Sequence, residues 1–276
     1  MASKQRRLAG RTGSYALLTL LAFIVGFPLY IIFAGSLMSL KEITSVPPSL
    51  FPMHPIWSTF RDAFVGGNLG QYLAVSFFQS GIIVVGQVLT SILAAFAFAY
   101  IQFPWKRTIF VAMLATSMIP FEVTVTANLQ TVAALGWSET MQGLVVPFLA
   151  TGFGIFLLRQ AFLQIPKEMH EAAVIDGYSS WKFMWRVAVP LARPSIAALA
   201  VFSFLGAWNQ YLWPLLETGS NKNIQTIQMG IRGVGGQVST ANVSLAAAAI
   251  AVAPLLILLV FFQKHLVRSL TAGAVK

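Results

Sequence analysis

Cysteine is absent from the 276 residues and charge is scarce, with eight acidic residues, 18 Lys and Arg, and 9% charged residues overall. The first absence excludes disulfides, thiolate metal sites and cysteine nucleophiles. The second excludes a soluble globular domain, which wets its surface with about 25% charged residues, and equally a disordered chain. His54, His170 and His265 are dispersed without metal-ligand spacing, and paired carboxylates are missing, so neither a metal site nor catalysis by the chain alone is expected. No Gly-Lys pair occurs, which excludes the G-x-x-x-x-G-K-[ST] loop that surrounds nucleotide phosphates. What is abundant is apolar: 57% of residues, with a mean hydropathy of +0.75. The bilayer is the expected solvent, and an all-α integral membrane protein the expected class.

Six stretches meet or approach the ~20 apolar residues that cross ~30 Å of hydrocarbon. They run over 14–36, 73–100, 108–127, 141–158, 195–216 and 241–263. The first is too long for a removed signal peptide and is read as an uncleaved span. No internal repeat is found, which disfavours a secondary transporter built from inverted repeats; that class should also carry intramembrane charges in matching halves. A membrane enzyme should show a nucleophile with its base, or a metal cluster.

A net charge of +10 would suggest nucleic acid in a soluble protein. Here the cations flank apolar runs instead. Fourteen of the 18 lie in the 1–13 arm, the second-to-third turn, the 159–194 segment and the 264–276 tail. The excess of cations in cytoplasmic loops therefore places both termini in the cytoplasm. The 37–72 loop, with Pro47, Pro48, Pro52 and Pro55, is expected to be extended at the outer surface. Small residues from Ala246 to Ala251 suit close helix contact, either within this chain or with another subunit.

The 159–194 segment does not read as a slack linker. Pro166 suits a helix first turn, 167–176 holds good helix formers, and Gly177 can terminate the helix in the left-handed conformation. Met169, Ala172 and Ala173 share a face at i, i+3, i+4 spacing. Ser179 or Ser180 can cap a second helix, which Pro190 is expected to end.

Glu171-Ala172-Ala173, then Gly177, then Val187-Ala188-Val189-Pro190 resembles the EAA loop of permease subunits in binding-protein-dependent ABC importers. That pattern ends in Ile-x-Leu-Pro, and valines stand here for Ile and Leu. Phe103-Pro104, Ile165-Pro166-Lys167-Glu168, Trp208-Asn209-Gln210-Tyr211-Leu212-Trp213-Pro214 and the final Gly273-Ala274-Val275-Lys276 extend the similarity over nearly the whole chain. It is similar to the carbohydrate and glycerol-phosphate branch.

The resemblance implies the type I importer permease fold, with six transmembrane helices, a core over 73–263 and a cytoplasmic coupling helix, in a bacterial inner membrane. It further implies a second homologous permease, two cytoplasmic ATPase subunits holding ATP and Mg, and an extracytoplasmic substrate-binding protein. Carried onto this chain, Glu171 makes the principal polar contact to the ATPase, Ala172 and Ala173 pack closely, Gly177 forms the turn, and Asp176 is counted with them among the ATPase-coupling residues. The candidate substrate path holds Glu122, Trp208, Asn209, Gln210, Tyr211 and Trp213. Two readings stand for each. Glu122 is a pathway carboxylate or an interfacial one. The aromatic and amide cluster stacks on sugar faces or forms an interfacial belt with helix contacts. Many sugar permeases carry an acidic residue where Gln210 stands, so the amide favours an anionic substrate such as glycerol-3-phosphate over a neutral sugar.

Overall fold

The computed structural model describes residues 2–234 and 240–271, with side chains over 14–234 and 240–262. The basic side chains of the arm and tail, residues 235–239 and the final 272–276 motif lie outside the described residues. Three described helices are long and apolar enough to cross a membrane, and three bent helix pairs raise the number to six. Contacts divide the chain into two units, one of Met1–Gly70 with Gly230–Ala253, the other of Gln71–Met229 with Pro254–Lys276.

In the first unit, α1 (Ala2–Ser36) carries Pro28 internally, and none of its most apolar window is buried. The loop after it is not simply extended. It holds α2 (Leu40–Ile43), α3 (Ser58–Arg61) and a π-helical turn at Asp62–Gly66. The reason is local: Ser39 caps α2 and Glu42 returns the bond to the Ser39 backbone N–H, a reciprocal capping box that outweighs the prolines around it. Glu42 also accepts from the Met53 backbone N–H at 2.9 Å, and Thr59 donates to the Ser36 carbonyl at 2.6 Å. These two bonds fold the loop back onto the end of α1.

The second unit begins within α4 (Leu69–Tyr100). The expected third span is broken into α5 (Lys106–Thr116) and α6 (Phe121–Ala134), which meet at 99°. Pro120, extended at ψ 138, denies the chain the helical conformation there. The fourth span joins α7 (Met141–Val145) and a 3-10 turn to α8 (Gly152–Leu163) with a 42° bend. Gly154 lets α8 approach α4 closely, because a Cβ there would lie 2.4 Å from the Ser91 hydroxyl and 2.9 Å from Leu199. The 159–194 segment supplies α9 (Lys167–Ile175) and α10 (Ser180–Phe183).

Pro190 does not end the second helix of that segment. A π-helical turn at Met184–Ala188 runs into α11 (Val189–Leu191), and the wider turn tolerates a residue with no N–H to donate. The chain then bends by 78° into α12 (Arg193–Trp208). α13 (Leu212–Glu217) and α14 (Ile227–Val234) follow. α15 (Ala241–Thr271) buries Ala246, Ala247, Ala249 and Ala251 within this chain, which resolves how most of its small residues are used.

Candidate functional site

α9 is shorter than the sequence suggested, with Pro166 standing one position before its first turn. Its end is a Schellman motif. The Gly177 N–H donates to the Val174 carbonyl at 3.0 Å and the Tyr178 N–H to the Ala173 carbonyl at 2.8 Å, with Gly177 at φ +72. Nothing would touch a Cβ at Gly177, so its requirement for glycine is conformational alone. Asp176 is the exposed last cap residue of α9, and Ser179 then caps α10 by accepting from the Lys182 N–H.

The faces of α9 differ from the expected grouping. Glu171 and Ala172 are exposed, as are Met169, Val174 and Ile175, the last at 86%. Ala173 is buried in a core with Phe96 and Phe98 of α4, Leu158 and Phe162 of α8, and Phe183 and Met184 after α9. Its small size permits close packing inside this chain. Two cations beside this core have partners: Arg159 donates to the Phe98 carbonyl at 3.2 Å and lies over the Phe110 ring, while Lys106 donates to the Ile101 carbonyl at 2.8 Å. The Phe98 carbonyl lies in the last turn of α4, where helical partners run out, and Ile101 is the residue just past it.

The aromatic cluster separates into core and lining. Trp208 is 1% exposed, stacked on Phe204 and edge-on to Phe77. Trp213 is equally buried between Phe121 and Phe148, with its indole N–H donated to the Gly143 carbonyl at 3.2 Å. Both tryptophans, expected among the candidate pathway residues, have ring faces covered by neighbouring rings in this structure. Asn209 is exposed, and its amide donates to the Leu205 carbonyl one turn back. Tyr211 is half-buried at the cap of α13. Glu122 is exposed in the first turn of α6, at the 99° break rather than in the middle of a straight span. A helix N-terminus favours a carboxylate there.

Gln210 is the member of the cluster that lines open space. Its side-chain oxygen accepts from Gln79 at 2.8 Å, and it borders a cavity of about 270 Å³ shared with Gln87, Thr151 and Ser203. The Ser203 hydroxyl is buried without a hydrogen-bond partner. Gln79, Gln87 and Ser203 were missed from sequence. The signal was available, since polar side chains inside an apolar span face protein or a cavity far more often than lipid.

Comparison with known proteins agrees with this architecture. Residues 87–272 match the family described as "Binding-protein-dependent transport system inner membrane component". The sn-glycerol-3-phosphate transport system permease protein UgpE of Pectobacterium atrosepticum is 34% identical, over 93% of this chain and 94% of its own length. The protein of the same name from Brucella abortus is 35% identical, over 97% and 98%. In three dimensions, a chain of a bacterial ABC transporter involved in the import of the acidic polysaccharide alginate superposes with TM-score 0.83, at 21% identity, over 94% of this chain and 97% of the other. The fold is that of type I ABC importer permeases. With two thirds of its length matched by the family and nearly all of it by full-length relatives, this chain belongs to the binding-protein-dependent transport system inner membrane components.

Proposed function

We propose that this chain is one of two permease subunits in an ABC importer for sn-glycerol-3-phosphate or a glycerophosphodiester. The observation that carries the substrate is the similarity to UgpE proteins at 34–35% identity over more than nine tenths of the chain. The neutral amide at Gln210 supports it: the cavity it borders is lined by uncharged side chains, which do not repel a phosphate as a carboxylate would.

In this reading both termini are cytoplasmic, an extracytoplasmic binding protein delivers the substrate, and two ATPase subunits hold ATP and Mg. The chain contributes no hydrolytic chemistry. Its own part is mechanical. Glu171, Ala172, Met169, Val174 and Ile175 form the exposed side of α9 that enters a groove of the ATPase, while Ala173 fixes the opposite side to the membrane helices. A short helix held by the Gly177 turn and the Ser179 cap moves as a rigid piece, so closure of the ATPase pair reaches the spans without being absorbed in a slack loop.

The test is uptake by the complete complex in proteoliposomes, with labelled glycerol-3-phosphate competed by glycerophosphocholine, by maltose and by unlabelled substrate. ATP-dependent uptake blocked by the phosphate esters and indifferent to maltose is the expected result. ATP-dependent uptake of labelled maltose with none of labelled glycerol-3-phosphate would assign a neutral sugar instead.

A further inference from the structure

His170 stood apart in the sequence as a lone histidine, and in the structure it is built into a box of rings. Its imidazole lies 5.1 Å from the Tyr100 ring at 31° and 4.7 Å from the Phe183 ring at 72°. Tyr100 and Phe183 touch each other edge-on at 5.2 Å, and Phe96 stands 5.0 Å from Tyr100 and 6.2 Å from Phe162. The Tyr100 hydroxyl donates to the Phe162 carbonyl at 3.0 Å, tying the end of α4 to the end of α8. One side chain of α9 therefore touches the end of α4 and α10 directly, and meets the end of α8 only through the Tyr100 hydroxyl.

The direction of the contact matters. His170 and Ala173, three residues apart, form the inward face of α9, and Ala173 contributes only a methyl group. The large contact on that face is the imidazole. Without it, α9 would be held to the body through Ala173 and through its backbone continuations at Pro166 and Gly177. Edge-to-face rings resist both sliding and separation, because each hydrogen-bearing edge is attracted to a specific ring face.

We propose that His170 is a positioning residue of the transport cycle: its ring conveys displacement of α9 to α10 and to the end of α4, whose Tyr100 hydroxyl is bonded in turn to α8. This rests on the reading of α9 as the helix that docks on the ATPase. The role asks for a flat ring of this size and not for a proton.

The experiment uses the full complex, both permeases with ATPase subunits and binding protein, in proteoliposomes, and reads solute imported per ATP hydrolysed. That ratio is independent of how much complex assembles. His170→Ala is expected to lower it by about five-fold, within the range of single residues that modulate coupling. His170→Phe is expected to restore it. Tyr100→Leu, which also removes the bond to the Phe162 carbonyl, should lower the ratio at least as far, and the double variant should fall short of the two effects combined, since they share the His170–Tyr100 contact.

An unchanged ratio in His170→Ala, even with less assembled complex, reduces the residue to a packing role and overturns the proposal. So does a Phe variant as poor as the Ala variant. The docking reading is checked separately by a photo-reactive reagent on Ile175→Cys, the one thiol of an otherwise cysteine-free chain. No labelling of the ATPase subunit removes the docking reading and the proposal with it. Labelling with an unchanged ratio removes the role of His170 alone.

Discussion

The backbone N–H of Tyr178 donates to the carbonyl of Ala173 at 2.8 Å, across a glycine at φ +72. This bond closes α9 and sets the angle at which the chain leaves it. Gly177→Ala is expected to cost about 1–2 kcal/mol locally, because an L side chain resists the left-handed conformation. Gly177→Asn should cost less, since asparagine visits that region more readily. ATP-dependent uptake should fall in the order Gly, Asn, Ala, Val at this position; equal uptake by the Val variant would show that the turn is dispensable.

Glu42 gives a pH dependence. Hydrogen bonds from the Ser39 backbone and hydroxyl, then the Met53 backbone, hold its carboxyl below the ordinary value of 4.5. The folded loop thus favours the charged form. Its contribution is fully present above the ordinary value and is lost as pH falls through the lowered one. Hydrogen exchange at the Ser39 and Met53 amides should accelerate as the medium is acidified, and Glu42→Gln should remove most of that acid response.

Trp213 separates packing from transport. Trp213→Ala empties a buried site between Phe121 and Phe148 and is expected to cost about 3–5 kcal/mol. Trp213→Phe keeps most of the apolar contact and leaves the Gly143 carbonyl without its indole donor, at about 1–3 kcal/mol. Thermal unfolding of the detergent-solubilised complex measures both. The Phe variant, once assembled, should keep the parent half-saturation for substrate, whereas a ring that touches substrate would shift it.

Gly154 and Ser91 form a pair testable by a double-mutant cycle. Gly154→Ala puts a methyl into the Ser91 hydroxyl and Leu199 and is expected to cost about 1–3 kcal/mol. Ser91→Ala removes a buried hydroxyl that has no hydrogen-bond partner and should be neutral or stabilising. Combined, the two should cost less than their sum, as measured by the same unfolding transitions.

Orientation is accessible because no native thiol interferes. Ser180 and Ser220 are both exposed. With cytoplasmic termini, an impermeant thiol reagent reaches Ser180→Cys only from the cytoplasmic side and Ser220→Cys only from outside. The reverse pattern would invert the topology.

Much of this fold was legible because bilayer thickness turns apolar length directly into spans, and the 14–36 stretch needed nothing more. The α9 turn was legible for a similar reason, since only glycine suits Gly177 at low cost. The breaks were not. The 99° bend at Pro120 depends on how α6 packs, and a proline alone permits either a slight kink or a sharp break. The burial of the tryptophans was not legible, because an aromatic cluster reads identically whether its faces meet solute or neighbouring rings, and only the positions of Phe77, Phe121, Phe148 and Phe204 show these rings covered. Gln79 and Gln87 had the opposite fault: they were plain in an apolar run and went unweighed.

The widened turn at Met184–Ala188 governs more than the passage of Pro190. Each residue of an α-helix advances the winding by about 100°, so one extra residue in a turn shifts the rotational phase of the winding downstream. The side of α12 that offers Leu199 to Gly154 is thereby aligned from a point upstream of the 78° bend. Excising a single residue there would leave composition and span lengths almost untouched and yet present a different flank to α8.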